Sequence, residues 1–352
     1  MDSEQIMAIN PGATSTKLGL FCGERKMCEE VLPHDARALG RFKEVWAQFN
    51  LRVHTVRLWT NPRVHALSAV VGRGGLFRPV RGGTYRVNER MLEDAQRNNQ
   101  GEHASNMGCA MADVLAREYH CPAFVVDPVS VDEFESPARF SGHPIVQRRS
   151  LSHALNIHAT AYRAARELGV PPLESSFVIA HLGSGISVAP VRNGRIIDVN
   201  DASSDGPFSP ERSGGLPLQQ LITLCFSETY SEAEVRSLVA GKGGLVAYLG
   251  TSSAVEVEER IRQGDSFARE VYEAMAYQIS KEIGAMATVV RGHLSAIVLT
   301  GGLARSAQLT SWITDRVKFI ARVIVLPGED ELQALAFGAL RVLRGEEEAL
   351  EY

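Results

Sequence analysis

The chain has 352 residues, 45% of them hydrophobic, with a mean hydropathy of −0.07 and a formal charge of −4. That length supports two domains with separate cores, and the slight acidity excludes a global attraction to nucleic acid, so any anion site has to be locally basic. No run of about 18 or more apolar residues occurs, which excludes a helical membrane span, and the N-terminus lacks a secretory pattern, so a cytoplasmic location is expected.

Residues 6–21, IMAINPGATSTKLGLF, read as strand, turn and strand. A turn of Gly, Thr and Ser between apolar strands lets backbone N–H groups and hydroxyls converge on an anion, and phosphate is the natural guest. An ordinary hairpin with a polar turn has the same spelling. Residues 37–49 carry Leu39, Phe42, Val45, Trp46 and Phe49 near helical spacing. An apolar, strand-like run at 64–71 delivers Gly72-Arg73-Gly74-Gly75. The glycines permit close approach of a ligand, and guanidinium favours carboxylate or phosphate.

Helices are expected from near Asn88 and from 101–106 to about Tyr119, the second opened by His103. A buried strand at 123–126 ends at Asp127-Pro128. The carboxyl end of a strand is where α/β folds place ligand-facing groups, although a turn or cap is the ordinary role of such an Asp. Residues 151–168 have helical spacing and carry His153, Asn156 and His158. Five scattered cysteines, Cys22, Cys28, Cys109, Cys121 and Cys225, have no metal-ligand spacing and are expected to be reduced.

Residues 178–188, VIAHLGSGISV, repeat the plan of the first hairpin around Gly183-Ser184-Gly185, followed by an Asn193-Gly194 turn and a strand at 195–199. A third glycine pair, Gly301-Gly302, follows the strand at 296–300. Three such turns fit a nucleotide held between two related domains, and none matches the Walker or dinucleotide pattern. The loop DGPFSPERSGGLP at 205–217 is stiffened by prolines and bracketed by glycines, which marks Arg212 as a ligand residue. Helices follow at 218–226, 231–239, 254–263 and 266–290, then a helix from about Ala307, a strand at 322–326 and a last helix at 330–343. Helix-dipole complementarity alone would explain the carboxylates of PGEDE at 327–331. The tail at 346–352 is expected to be solvated.

Arginines among glycines, three glycine turns and several oxygen ligands fit phosphoryl transfer, which needs positioning and charge neutralisation more than covalent catalysis. Magnesium accompanies such chemistry, bound through phosphates, water and one or two carboxylates. A carboxylate acceptor needs no base at neutral pH. Its repulsion from the γ-phosphate is what two arginines would offset.

The ordered set NPGATSTK (10–17), VGRGG (71–75), GGTYRVNE (82–89), GEHASN (101–106), VDPV (126–129), SHALN (152–156), HLGSGIS (181–187), GPFSPERSGGLP (206–217), LTGGLA (299–304) and PGEDE (327–331) resembles the butyrate kinases. These are similar to acetate kinases within the acetate/sugar kinase, Hsp70 and actin superfamily. The resemblance runs from the first strand to the last helix. It implies an α/β fold of two ribonuclease-H-like, actin-like ATPase domains with a cleft between them. Residues 1–155 would take the acyl substrate and 156–352 the nucleotide, with the last helix packing back on the first domain.

It implies ATP as donor, Mg²⁺ as cofactor, a dimer or larger homo-oligomer, and reversible conversion of butanoate and ATP to butanoyl phosphate and ADP. Asn10 would help hold the transferring phosphoryl group, with Thr14, Ser15 and Lys17 in its turn. Arg73 would bind the acyl carboxylate, and His103 and His153 match active-site histidines, His153 being the transition-state donor. Asp127 would position substrate or metal, and Arg212 would stabilise the equatorial oxygens. His181, Gly183, Ser184 and Gly185 would face nucleotide phosphates, Gly301 and Gly302 the adenosine, and Glu331 with Asn10 the Mg²⁺.

Two departures point to a roomy acyl pocket: Gly75 stands where acetate kinases carry valine, and Ser152 where related kinases carry phenylalanine. A methylene is worth only about 1–3 kcal/mol of discrimination, so isobutyrate or another acid is the alternative substrate. The loop at 201–206 is also shorter than the family spelling. From another class, an actin- or Hsp70-like ATP-binding switch shares the fold, but it has no need of Arg73, His153 and Arg212.

Overall fold

The computed structural model describes residues 4–352 and divides into two compact units, the chain up to Asp132 with Asp330–Tyr352, and Glu133–Glu329. In the first, β1 (Gln5–Pro11), β2 (Ser15–Cys22), β3 (Arg25–Pro33), β4 (Ala69–Arg73), β5 (Thr84–Arg86) and β6 (Ala123–Val126) form a sheet of order β3-β2-β1-β4-β6-β5. The β1–β2–β3 meander is antiparallel, and β4 and β6 continue parallel to β1. Ile6, Met7, Ala8 and Ile9 are fully buried because β1 is covered on both faces, which is why it reads as an apolar run rather than an alternation. Met7 and Ile9 meet the helix Met107–Glu118, while the opposite face, at Gly19 paired with Ala8, meets Leu332 of the helix Glu331–Leu343.

In the second unit, β7 (Ser176–Leu182), β8 (Ile186–Arg192), β9 (Arg195–Ile196), β10 (Ala296–Gly301) and β11 (Val323–Pro327) form a sheet of order β11-β10-β7-β8-β9. Read as β9-β8-β7-β10-β11, its order and strand directions match β3-β2-β1-β4-β6. One face, with Val178, Ala180 and Leu182, packs on the helix Ser266–Val289. The other receives the helix Ala154–Leu168.

Four sequence expectations are corrected. The helix expected at 37–49 is a single turn, Ala36–Leu39, then irregular chain and a 3-10 turn at Trp46–Gln48, and the real helix is Phe49–Thr60. Gly40 ends the first turn, and the inward-facing Arg52 disguises the apolar face that Val53, Val56 and Trp59 complete. The units divide at 132/133 rather than 155/156, because Ile196 N–H donates to the Glu133 carboxylate, Glu135 N–H to Ile197 O and Arg148 to Val199 O. The tail is docked, not solvated: Leu350 exchanges backbone hydrogen bonds with Thr84 and Arg86, and the Tyr352 ring meets Phe77 edge-on. A helix that the sequence reading omits, Gly244–Leu249, buries Leu245.

Candidate functional site

In the first unit the expected residues gather at the carboxyl ends of β1, β4 and β6. Arg73 ends β4 and pairs in register with Val126 of β6. Close backbone packing brings the next helix onto it: a Cβ on Gly72 would lie 2.1 Å from Gly108 O, and one on Gly108 would lie 2.2 Å from Arg73 O. The mostly buried Arg73 guanidinium forms an ion pair with the Glu331 carboxylate, to which Asn10 also donates through its amide. Two residues far apart in sequence, Asn10 and Arg73, thus share the Glu331 carboxylate. The buried Nε of Arg73 has no acceptor among the described residues, and an unmade hydrogen bond of a buried charged donor is costly.

His103 opens the short helical turn Ala104–Asn106, where its Nδ1 accepts from Ser105 N–H at 3.1 Å. Partial burial and then the Arg73 charge hold its pKa below the ordinary histidine value. Asp127 follows β6 with φ at +40°. Its Oδ1 accepts Gly83 N–H at 2.7 Å and its own N–H donates to Gly83 O, so the carboxylate pins the Gly82-Gly83 turn. Thr14 is exposed at the first turn, Ser15 begins β2, and Lys17 is exposed on that strand.

Gly75 does not create free space. A Cβ there would lie 2.1 Å from Asn106 Oδ1, which accepts Leu76 N–H at 2.8 Å. The volume a valine would fill is taken by Asn106, so the expectation of room from this glycine fails. Ser152 is buried and its hydroxyl has no partner among the described residues.

In the second unit His153 caps the helix Ala154–Leu168, with its Nδ1 at 2.9 Å from Ser187 Oγ. Its ring stacks on His181 at 3.9 Å between centroids and 12° between planes. His181, at the end of β7, donates through Nδ1–H to Asn156 Oδ1 at 2.8 Å, and Asn156 donates to Glu329 O. The role of Asn156 was not visible in sequence; its place three residues after His153, on the same helical face, was the available signal.

The Gly183–Gly185 turn follows β7 directly. A Cβ on Gly185 would lie 2.3 Å from Arg212 Nη1, so this glycine lets the guanidinium lie against the turn. Arg212 Nη1 also donates to Ala202 O at 2.7 Å, and burial lowers its pKa while Asp201 and Glu211 oppose the shift. Its loop is fixed by Ser213 N–H to Val239 O and by Gly244, where a Cβ would meet Ser209 O at 1.7 Å. Gly301 has φ at +89°, and a Cβ on it would strike Leu182 O, so it packs the two glycine turns together. Gly302 faces open space.

Glu331 and the adjacent Asn10 side chain fit the oxygen donor set of Mg²⁺ held mainly by phosphates and water. No group of three or more His, Cys, Asp or Glu able to hold a metal occurs among the described residues. No helix among them is long and apolar enough to cross a membrane.

The acetokinase family model matches residues 145–322. A probable butyrate kinase of Listeria monocytogenes is 49% identical over 354 aligned positions, covering 99% of this chain and all of that one. Probable butyrate kinase 2 of Caldanaerobacter subterraneus is 48% identical, covering 97% and 98%. Among solved structures, the Porphyromonas gingivalis acetate kinase superposes with a TM-score of 0.77 at 18% identity, covering 96% of this chain and 99% of that one. A Francisella tularensis propionate kinase gives 0.73 at 16% identity, covering 94% and 98%. At these identities the structural likeness speaks to the fold, a mixed α/β architecture with two sheets.

Proposed function

The chain belongs to the acetokinase family, and from that premise we propose that it is an ATP-dependent short-chain carboxylate kinase. Butanoate is the favoured acceptor, and the reaction is reversible transfer to butanoyl phosphate. The similarity to probable butyrate kinases along nearly the whole chain carries the reading. What supports it locally is the charged donor left over on Arg73: a bound carboxylate would give the buried Nε its acceptor.

The acid's oxygens are already ionised at neutral pH, so the attacking group needs no base. Arg73 would orient it, and Arg212 would neutralise charge on the equatorial oxygens of the transferring group. His103, its Nδ1 occupied by Ser105, would present Nε2–H as a neutral donor. His153, steadied by Ser187 and by stacking on His181, would donate to the transition state. Asn10 and the Thr14–Ser15 turn, with Lys17, would hold the phosphoryl group, and the Gly183–Gly185 and Gly301–Gly302 turns would take the nucleotide. Asp127 would position the acid indirectly, through the Gly82-Gly83 turn it pins. Magnesium, when bound, neutralises phosphate charge, and Glu331 with Asn10 would hold it.

A cytoplasmic location and a homo-oligomer, testable by light scattering, complete the proposal. The decisive assay offers Mg-ATP, hydroxylamine and a panel of linear, branched and aromatic acids. Acid-dependent hydroxamate, strongest with butanoate, is expected; ATP hydrolysis without it would overturn the reading.

A further inference from the structure

Arg52 is the largest fully buried side chain among the described residues, at 0% exposure. Its guanidinium lies under the first turn. Nη1 donates to Gly12 O at 2.8 Å and Ser15 O at 3.3 Å, and Nη2 donates to Ala13 O at 2.8 Å. Nε and Nη2 share Gln48 Oε1 at 3.1 and 2.9 Å. The remaining turn carbonyl, Thr14 O, accepts His34 N–H at 2.9 Å. Every carbonyl from Gly12 to Ser15 is therefore occupied from within.

The exposed residues Ala13 and Thr14 have amide hydrogens with no partner among the described residues. Consecutive N–H groups free of competing carbonyls are the makings of an anion nest. Arg52 has no carboxylate partner among the described residues: its acceptors are three backbone carbonyls, Gln48 and the distant Thr16 hydroxyl. Burial alone lowers its pKa. The neighbouring His34, bonded to Thr16 Oγ1, adds no charge at neutral pH, because burial and then Arg52 lower its pKa. Arginine does not deprotonate in a protein, and buried charges are ordinarily paired.

We infer that Arg52 is a positioning residue for the phosphoryl group: its fork draws the carbonyls of Gly12, Ala13 and Ser15 inward, leaving N–H groups outward, and sets beneath them a positive charge that a bound anion balances. The inference rests on the kinase reading for what the turn holds, and on the hydrogen bonds above for how the turn is built.

The test uses the full chain with inorganic phosphate and Mg-ATP as probes, reading Kd and ligand-induced rise in melting temperature. Gln48→Glu places a carboxylate on the guanidinium, cancelling its charge with the fork in place. It is expected to stay folded and to weaken both ligands about tenfold, the scale of a charge interaction through protein. Gln48→Leu removes the same acceptor but keeps the charge, and its affinities should stay close to those of the unaltered chain. Arg52→Lys keeps the charge but cannot span the carbonyls of Gly12 and Ala13, so kcat should fall about tenfold while phosphate affinity falls less.

Unchanged binding in Gln48→Glu, or equal weakening in Gln48→Leu, would overturn the charge role. Wild-type kcat in Arg52→Lys would overturn the positioning role; should that variant unfold, the Gln48 pair decides. Phosphate binding is read without turnover, so absence of hydroxamate from the unaltered chain would sink the kinase reading separately.

Discussion

The two hairpin turns that follow β1 and β7 occupy equivalent places in sheets of the same strand order, yet each is completed differently. At the first, the arginine lies beneath the turn, fully buried, and grips its carbonyls. At the second, Arg212 reaches over from a loop and occupies the space that the missing Cβ of Gly185 leaves. The repeated fold thus places one guanidinium beneath a turn and another against a turn's glycine. The difference teaches that a glycine turn is only a permissive frame, and that its chemistry comes from whichever charged side chain the surrounding chain delivers.

The comparison can be broken first at Arg212. If its charge serves the transferring group, Arg212→Ala should lower kcat by about 10²–10³-fold, the usual cost of removing a transition-state donor. Circular dichroism and melting should show the fold intact; a variant with near-normal kcat would make Arg212 a packing residue. Arg73→Ala should raise KM for the acid about 10- to 100-fold, as expected for losing a charge-assisted hydrogen bond, with Mg-ATP affinity largely kept. Equal loss of both would refute its assignment to the acid.

Glycines sharpen the contrast further. Gly185 makes way for a guanidinium, but Gly75 makes way for Asn106. Gly75→Val should therefore destabilise by about 1–3 kcal/mol through overpacking, measured by urea unfolding, instead of merely narrowing substrate choice. A stable variant with shifted chain-length preference would restore the pocket-size interpretation.

The smallest effect separates the units by sign of pH dependence. His34 has a lowered folded pKa, so the unfolded chain protonates first and its contribution is lost as pH falls below the ordinary histidine value of 6.5. Asp205 is pushed up to about 6 by burial and Asp201, so the folded state binds the proton first. Its cost at neutral pH is relieved as pH falls through about 6 towards the ordinary 3.8. His34→Gln should reduce acid-side destabilisation, and Asp205→Asn should stabilise more at pH about 7.5 than at about 5. Denaturant midpoints at the two pH values check both, and matching slopes would mean other groups dominate.

The sequence by itself determined the buried strands, their apolar runs, the glycine turns and the order of the motifs, because these are local: a buried strand needs a continuous apolar run, and a tight turn needs residues without bulk. The exposed β3 and the three-residue β5 carry no such run and are not expected from the sequence. It also singled out Arg73 and Arg212 through their glycine neighbours, and His153 through the resemblance of its motif to the family's. Only the tertiary structure decided that Glu331 is shared by Asn10 and Arg73, that His181 stacks on His153, that Asn106 fills the space at Gly75 and that Arg52 underlies the first turn. Those relations join residues tens to hundreds of positions apart, and a buried arginine among backbone carbonyls leaves no periodic trace. It even conceals the helix that carries it, since helical pattern is recognised by apolar residues facing inward and here the inward face bears a charge.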